Sequence, residues 1–210
     1  MLVIIELDVA PFCCGHLELN PAVGWLGGRI IATVMATGNA DMENVAVKLV
    51  NPGPDAKVLM IGCGPGVGVV VAARRASNGM VMGIDPSAVM VKRTRTRCRR
   101  ARVEHLTRVA RAAAESILFP DNSQDAVVSV NNIQLWSDRA VGLDESVRVL
   151  VPGGVLLVLL HTWAMSDAVP RDEWIAQLCD DLSARDVKVN VPQIRRFRSG
   201  PAMVPMGKLL

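Results

Sequence analysis

The chain has 210 residues, which fits one domain with enough length to bury a proper core. Half of the residues are apolar and a fifth are charged, and a net charge of +3 is too small to imply a nucleic-acid partner by itself. With three Phe, four Trp and no Tyr, the core has to be built mainly from Val, Leu, Ile, Met and Ala.

Residues 1–10 are apolar but carry Glu6 and Asp8 and lack the basic flank of a signal peptide. No stretch approaches twenty uncharged apolar residues, so no transmembrane segment is expected. Cys13, Cys14, Cys63, Cys98 and Cys179 are odd in number and scattered. None has zinc spacing, and the adjacent pair cannot form an ordinary disulfide. Free thiols in a reducing cytoplasm, and no metal site, are the expectation. Residues 21–50 read as two helices broken at Gly38-Asn39: Ile30, Ile31, Val34 and Met35 carry the first, and Val45, Val47, Leu49 and Val50 complete the second.

Val58-Leu59-Met60-Ile61 is short, branched and apolar, as a strand buried on both faces should be. Gly62-Cys63-Gly64-Pro65-Gly66 follows, where the backbone can turn tightly and lie against a ligand. Residues 67–76 read as a helix and 80–84 as the next parallel strand. Asp85 then stands about twenty residues after the last glycine, where a carboxylate grips ribose hydroxyls in nucleoside-binding sheets. The competing role for Asp85 is the N-cap of a helix that begins at Pro86. The unit reads as an adenosine-binding βαβ. A dinucleotide fingerprint fails in both registers, because Val67 or Val69 occupies the third glycine position, and no P-loop run is present.

Residues 92–102 form the one charge anomaly, with Lys92, Arg93, Arg95, Arg97, Arg99, Arg100 and Arg102 in a single run. On a helix they spread around most of the circumference, which suits a solvated face; an anionic membrane surface or nucleic acid are the alternatives. Residues 126–130 read as a strand ending in Asn131-Asn132-Ile133-Gln134-Leu135-Trp136. A helix is expected through Leu150, closed by Pro152-Gly153-Gly154, and residues 155–160 are again a fully apolar strand. Beyond them, residues 171–184 place Trp174, Leu178 and Leu182 on one helical face. Residues 187–191, 194–198 and 202–209 read as strands, with a turn at Ser199-Gly200-Pro201.

Gly62-x-Gly64-x-Gly66, the acid at Asp85, and the run Ala114-Glu115-Ser116-Ile117-Leu118-Phe119-Pro120-Asp121-Asn122-Ser123-Gln124-Asp125 together resemble the class I S-adenosylmethionine-dependent methyltransferases. The run is similar to that family's A-E-x-L-P-F-x-D-x-S-F-D loop after the third strand. The resemblance spans roughly residues 51–160 and is closest to the ubiquinone/menaquinone-biosynthesis-like small-molecule methyltransferases. It implies an α/β fold: a Rossmann-like, seven-stranded, mostly parallel sheet with helices on both faces. Residues 1–50 would be a helical lid segment, with Met35, Asn39 and Asn44 matching the lid pattern, and residues 51–210 the cofactor-binding core of a single domain.

The resemblance also assigns cofactor roles. Gly62, Cys63 and Gly64 would present backbone groups to the methionine and ribose parts of S-adenosylmethionine, and Asp85 would accept from the ribose hydroxyls. Pro86, Ser87 and Met90 would flank the adenine, with Ala114 and Glu115 reading its edge. Asn131 stands at the carboxyl edge of the sheet, where ligands of open α/β folds collect. Two positions depart from the family. Met60 stands where an acid usually contacts the methionine end, and Ala113 where an aspartate holds the adenine amino group. Each loss removes a charge-assisted hydrogen bond worth roughly 1.5–3 kcal/mol.

Methyl transfer needs mainly alignment and desolvation, with effective molarities on the order of 10⁵ M for well-placed reactants. The sequence therefore names the cofactor better than the substrate. His161, Asn132, Gln134 and Trp136 are the candidates on the substrate side, His161 as a general base just past the fifth strand. His16 and His105 have no comparable placement. The expected reaction is methyl transfer to a small, apolar metabolite in the cytoplasm, and a homodimer is compatible with it. The alternatives are a non-catalytic or decayed adenosyl-ligand binder and, less favoured, an RNA methyltransferase using the arginine helix. Nucleic acid is not the expected partner: no Asn-Pro-Pro-Tyr or Asp-Pro-Pro-Tyr element follows the fourth strand, and residues for stacking flipped bases are nearly absent.

Overall fold

Five parallel strands carry the molecule. The computed structural model describes residues 39–165 and 169–210. Met35, Cys13, Cys14, His16 and the first of the two expected N-terminal helices lie outside them. In chain order the elements are α1 (Ala40–Val50), β1 (Lys57–Ile61), α2 (Val67–Arg75), β2 (Met80–Asp85), α3 (Ala88–Arg100), β3 (Thr107–Arg111) and β4 (Gln124–Val130). They are followed by α4 (Arg139–Arg148), β5 (Leu150–His161), α5 (Arg171–Ser183), β6 (Val187–Val189), β7 (Gln193–Phe197), β8 (Gly200–Val204) and β9 (Met206–Leu209). The sheet runs β3-β2-β1-β4-β5-β8-β7, with β9 pairing β5 and β6. Strands β1 to β5 are parallel to one another, and every pairing of β6 to β9 is antiparallel.

Side chains alternate across each central strand and so divide two apolar layers between the two faces. Val58 and Met60 of β1 join Met42, Ala46 and Val47 of α1 and Val69 and Ala72 of α2 on one face. Leu59 and Ile61 join Leu143 of α4 and Trp174, Leu178 and Leu182 of α5 on the other. The helices of the first half thus cover one side and those of the second half cover the other. The apolar spacing read for residues 174, 178 and 182 is buried as expected.

Nine strands appear where seven were expected, because two strands are each split in two. Against β5, β8 and β9 keep a single register: Leu160 pairs with Met203 and Leu157 with Met206. Only Pro205 interrupts them, and it still accepts a hydrogen bond from Val158 N at 3.0 Å. On the other side, β6 and β7 are separated by residues 190–192. Asn190 N donates to Met206 O while Gln193 pairs with Val204, so two residues stand opposite the single Pro205. That is a one-residue bulge with a proline, Pro192, inside it. The expected break at Pro152-Gly153-Gly154 is also absorbed into a strand. β5 begins at Leu150, and residues 151–154 loop out between its pairings with Gln124 and Ala126.

Candidate functional site

The carboxyl ends of β1, β2, β4 and β5 open on one edge, and the glycine turn lies across it. Gly62 (φ 59°), Gly64 (φ 50°) and Gly66 (φ 83°) are all left-handed. Gly62 also has no room for a side chain, since a Cβ there would stand 2.6 Å from the Asn132 side chain. Cys63 N donates to Ile84 O at 2.9 Å, which ties the turn to β2. Asp85, the last residue of β2 and buried, accepts from Gly64 N through one oxygen and from Ser87 N through the other, both at 2.9 Å. The cap of α3 is Ser87, whose hydroxyl accepts from Met90 N, so Asp85 is not the N-cap of that helix. Burial raises the Asp85 carboxyl above the ordinary range, and its two backbone donors pull it back down. Each oxygen keeps a lone pair for a further donor. The turn is braced from α3: Thr94 Oγ1 donates to Gly64 O at 2.6 Å and Arg97 Nε to Pro65 O at 2.7 Å.

Cys63 points away from any nucleophilic role. Its thiol is buried and pushed up to about 12, by desolvation first and by the neighbouring Asp85 carboxylate second. At this turn the backbone of Cys63, rather than its thiol, is the group left to face outward.

At the end of β4 the two asparagines hold the edge together. Asn132, buried, donates to Ile61 O at 2.8 Å and to Val130 O at 3.2 Å, and it accepts from Ser129 Oγ at 3.0 Å and Trp136 Nε1 at 2.8 Å. That saturates its amide, so Asn132 clamps β1 to β4 rather than offering a group to a substrate. Trp136, bound to it, lies against α4, where a Cβ on Gly142 would stand 2.4 Å from its ring. Asn131 has positive φ, 52°; its Nδ2 donates to Asn39 Oδ1 at 2.9 Å, and its Oδ1 accepts from His161 N at 2.9 Å. The start of α1 is thereby fastened to the ends of β4 and β5.

Gln134 and His161 keep unspent polar atoms. Gln134 Nε2 donates to Asn131 O, and its Oε1 is buried with no partner among the described residues. His161 is fully buried, its Nδ1 sits 3.3 Å from Pro201 O, and Trp163 stacks on its ring at 5.1 Å. Desolvation lowers its pKa, so the ring is neutral at pH 7. A carbonyl at Nδ1 puts the proton there, leaving Nε2 as a lone-pair acceptor that has no partner among the described residues.

The loop after β3 is pinned by an ion cluster that sequence reading missed. Glu145 Oε2 accepts from Ile117 N at 2.9 Å; Arg148 donates to Ile117 O and Phe119 O and pairs with Glu145 and Asp121, both at 2.6 Å. The Arg148 bond holds the Glu145 carboxyl below the usual range. An i, i+3 acid–base pair on α4 was the available signal. Ala114 is buried, and Glu115 accepts from Asp138 N at 3.1 Å, bracing the start of α4.

Glu43 of α1 is the second residue missed. Its carboxylate accepts from Gly68 N in the first turn of α2, and it lies against Met60 in the same crowded corner, since a Cβ on Gly68 would touch both side chains. An acid on the neighbouring helix thus stands beside the position where Met60 replaces one. Burial raises its pKa to about 7, against the Gly68 bond and the Arg97 charge. Nothing in its local spacing marks it, because the contact joins residues 25 apart in sequence.

Comparison with known proteins agrees with this geometry. Residues 59–158 match the family described as "Methyltransferase domain". An uncharacterized methyltransferase of Bacillus subtilis is 28% identical over 142 residues, covering 68% of this chain and 76% of that protein. A ubiquinone/menaquinone biosynthesis C-methyltransferase of Geotalea daltonii is 33% identical over 115 residues, covering 54% of this chain and 49% of the relative, so the chain spans about half of that protein. Among solved structures, a SAM-dependent methyltransferase from Aquifex aeolicus superimposes with a TM-score of 0.70 at 17% identity, covering 88% of this chain and 98% of that one.

Proposed function

We propose that this chain, whose residues 59–158 match a methyltransferase domain, is a class I S-adenosylmethionine-dependent methyltransferase that transfers a methyl group from that cofactor to a small apolar acceptor. The observation that carries the reading is Asp85. It is a buried carboxylate fixed by Gly64 N and Ser87 N at the edge of a left-handed glycine turn, with lone pairs left for a ribose diol. The residues present fit the cofactor. Gly62, Cys63 and Gly64 would hold its methionine and ribose parts by their backbone, and Asp85 the ribose. Pro86, Ser87 and Met90 would line the adenine on one side, and Ala114 and Glu115 on the other.

Bound there, S-adenosylmethionine supplies an electrophilic methyl group on a sulfonium sulfur. The chain's own part is to align and to exclude water, for which the clamped ends of β1, β4 and β5 are suited. Asn131 stands among them as a further cofactor contact. The Asn39–Asn131 bond, which sets the start of α1 over this edge, supports a lid within residues 1–50. Gln134 Oε1 and His161 Nε2 are the acceptor atoms left for a substrate, with Trp163 covering the histidine. An apolar acceptor is supported by Leu135 and Trp163, exposed around this edge, and by the ubiquinone/menaquinone relative. The buried, unpaired thiols of Cys63 and Cys98 support a reducing compartment such as the cytoplasm.

The test is calorimetric titration with S-adenosylmethionine and S-adenosylhomocysteine, beside Asp85→Ala. Micromolar binding that falls at least about tenfold in the variant is expected, for a lost hydrogen-bonded charge. Absence of binding to the wild type would overturn the reading. Transfer of a labelled methyl group into an organic-extractable rather than an aqueous metabolite pool would then establish the apolar acceptor.

A further inference from the structure

The side chains that surround the proposed site are oddly distributed. Val89 follows β2, Leu118 follows β3, Leu135 follows β4 and Trp163 follows β5, and each is at least half exposed. Because these strands are parallel, Val89, Leu135 and Trp163 crown the same edge of the sheet; Leu118 does not, since Ile117 and Phe119 on either side of it are bonded to Arg148 at the far end of α4. Exposed apolar side chains scattered singly are ordinary, but a set gathered around one opening is a surface feature.

Beside that edge lies the basic helix. α3 carries Lys92, Arg93, Arg95, Arg97, Arg99 and Arg100 and no acid. Lys92, Arg95 and Arg99 share one face at i, i+3 and i+7, and with Arg111 at the end of β3 they rim a cavity of about 490 Å³ whose other walls are Ala88 and Val91. None of these four cations has a carboxylate partner within 4 Å among the described residues; the ion pairs there are made by Arg139, Arg148 and Arg185. Arg95 donates to Val109 O at 2.6 Å and Arg111 to Pro86 O at 2.9 Å, so both guanidinium groups are held in place while remaining exposed. The Arg111 bond reaches the residue directly after Asp85, which sets the basic cavity beside the proposed adenosine side of the site.

We propose that the carboxyl edge of the sheet and the outer face of α3 dock together on an anionic lipid bilayer. Lys92, Arg95, Arg99 and Arg111 meet the phosphate headgroups, while Val89, in the first turn of the same helix, reaches below them. The inference rests on the methyltransferase reading for its purpose: an apolar acceptor would enter the site from the bilayer rather than through water. Charge complementarity alone would serve a nucleic acid equally. The favoured partner is the bilayer because the cations are bordered by aliphatic side chains, and the cavity they rim contains no aromatic platform for bases.

The test is flotation of the full chain with phosphatidylglycerol–phosphatidylcholine vesicles and with pure phosphatidylcholine vesicles, read beside calorimetry with S-adenosylmethionine. Binding to the anionic vesicles alone is expected, falling with added salt. K92E/R95E/R99E should weaken it at least about tenfold, and Val89→Asp several-fold, with cofactor affinity unchanged in both. Should the triple glutamate variant fail to fold, K92Q/R95Q/R99Q gives the same direction with a smaller loss. Cofactor binding without vesicle binding overturns the docking proposal and leaves the methyltransferase reading standing. Vesicle binding without cofactor binding overturns the methyltransferase reading instead. Tighter binding to a single-stranded RNA oligonucleotide than to anionic vesicles, lost in the same triple variant, overturns the bilayer as partner.

Discussion

The parallel half of the sheet and its antiparallel half are built to different standards. In β1, β2 and β4 nearly every residue is buried on both faces. In β7 four of five residues are exposed, and β6 and β9 bury one each. The first half carries the glycine turn, Asp85 and the asparagine clamp, where a displacement of one atom changes the ligand site. The second half closes the sheet, and it tolerates a proline in each of its two interrupted strands. Precision is concentrated where chemistry is proposed, and the closing strands need only cover β5.

The sharpest way to break that comparison is to disturb the clamp between β1 and β4. Gly62→Val should cost about 4 kcal/mol or more, because a β-branched residue is forced into φ 59° and its Cβ lands on Asn132. Chemical denaturation with a calorimetric check of cofactor binding would measure both losses. Asn132→Ala should cost about 2–3 kcal/mol, by leaving Ile61 O and Trp136 Nε1 short of partners. A near-neutral result would show that the edge does not depend on this amide.

Glu43 sharpens the comparison through pH. Its pKa rises from the ordinary 4.5 to about 7 in the folded chain, so the folded state binds its proton more tightly than the unfolded state does. The sign follows. Stability is full below pH 4.5, declines as pH rises toward 7 and then levels, by up to about 3 kcal/mol from this group. Asp85, also raised, adds in the same direction. Glu43→Gln keeps an acceptor for Gly68 N and should flatten this decline, raising stability at pH 8. Urea midpoints between pH 5 and 8 would decide it, and an unchanged slope in the variant would remove Glu43 as its source.

The same division explains how much could be read from the sequence. Residues 58–61, 80–84 and 126–130 are apolar runs broken only by Ser129 and ended by glycine, aspartate or asparagine, and local pattern suffices for them. The turn at residues 62–66 and Asp85 were legible because their spacing is their chemistry. The Glu43 contact and the Arg148 cluster were not, since each joins segments brought together only by folding. Asn132 was read as facing a substrate because its place at a strand end was visible while its four internal partners were not. The seven strands became nine because Pro192 and Pro205 interrupt hydrogen bonding without ending the direction of the chain, a distinction that alternation of residue types does not carry.

The smallest effect belongs to the antiparallel half. Pro205→Ala restores an N–H between β8 and β9, at the point where two residues of the neighbouring strand stand opposite one. The register against β5 is already continuous across the proline, and Pro205 O is already bonded to Val158 N. Nothing in β5 therefore has to move. The new donor points the same way as Pro205 O, toward Val158 O of β5, so it adds at most one ladder bond, while the loss of proline loosens the unfolded chain slightly. The two consequences are each below about 1 kcal/mol, and the expected change in the denaturation midpoint is correspondingly small, with cofactor affinity unaltered. A loss comparable with that of Gly62→Val would mean that the break at Pro205 is as tightly specified as the glycine turn, and the contrast between the two halves would fail.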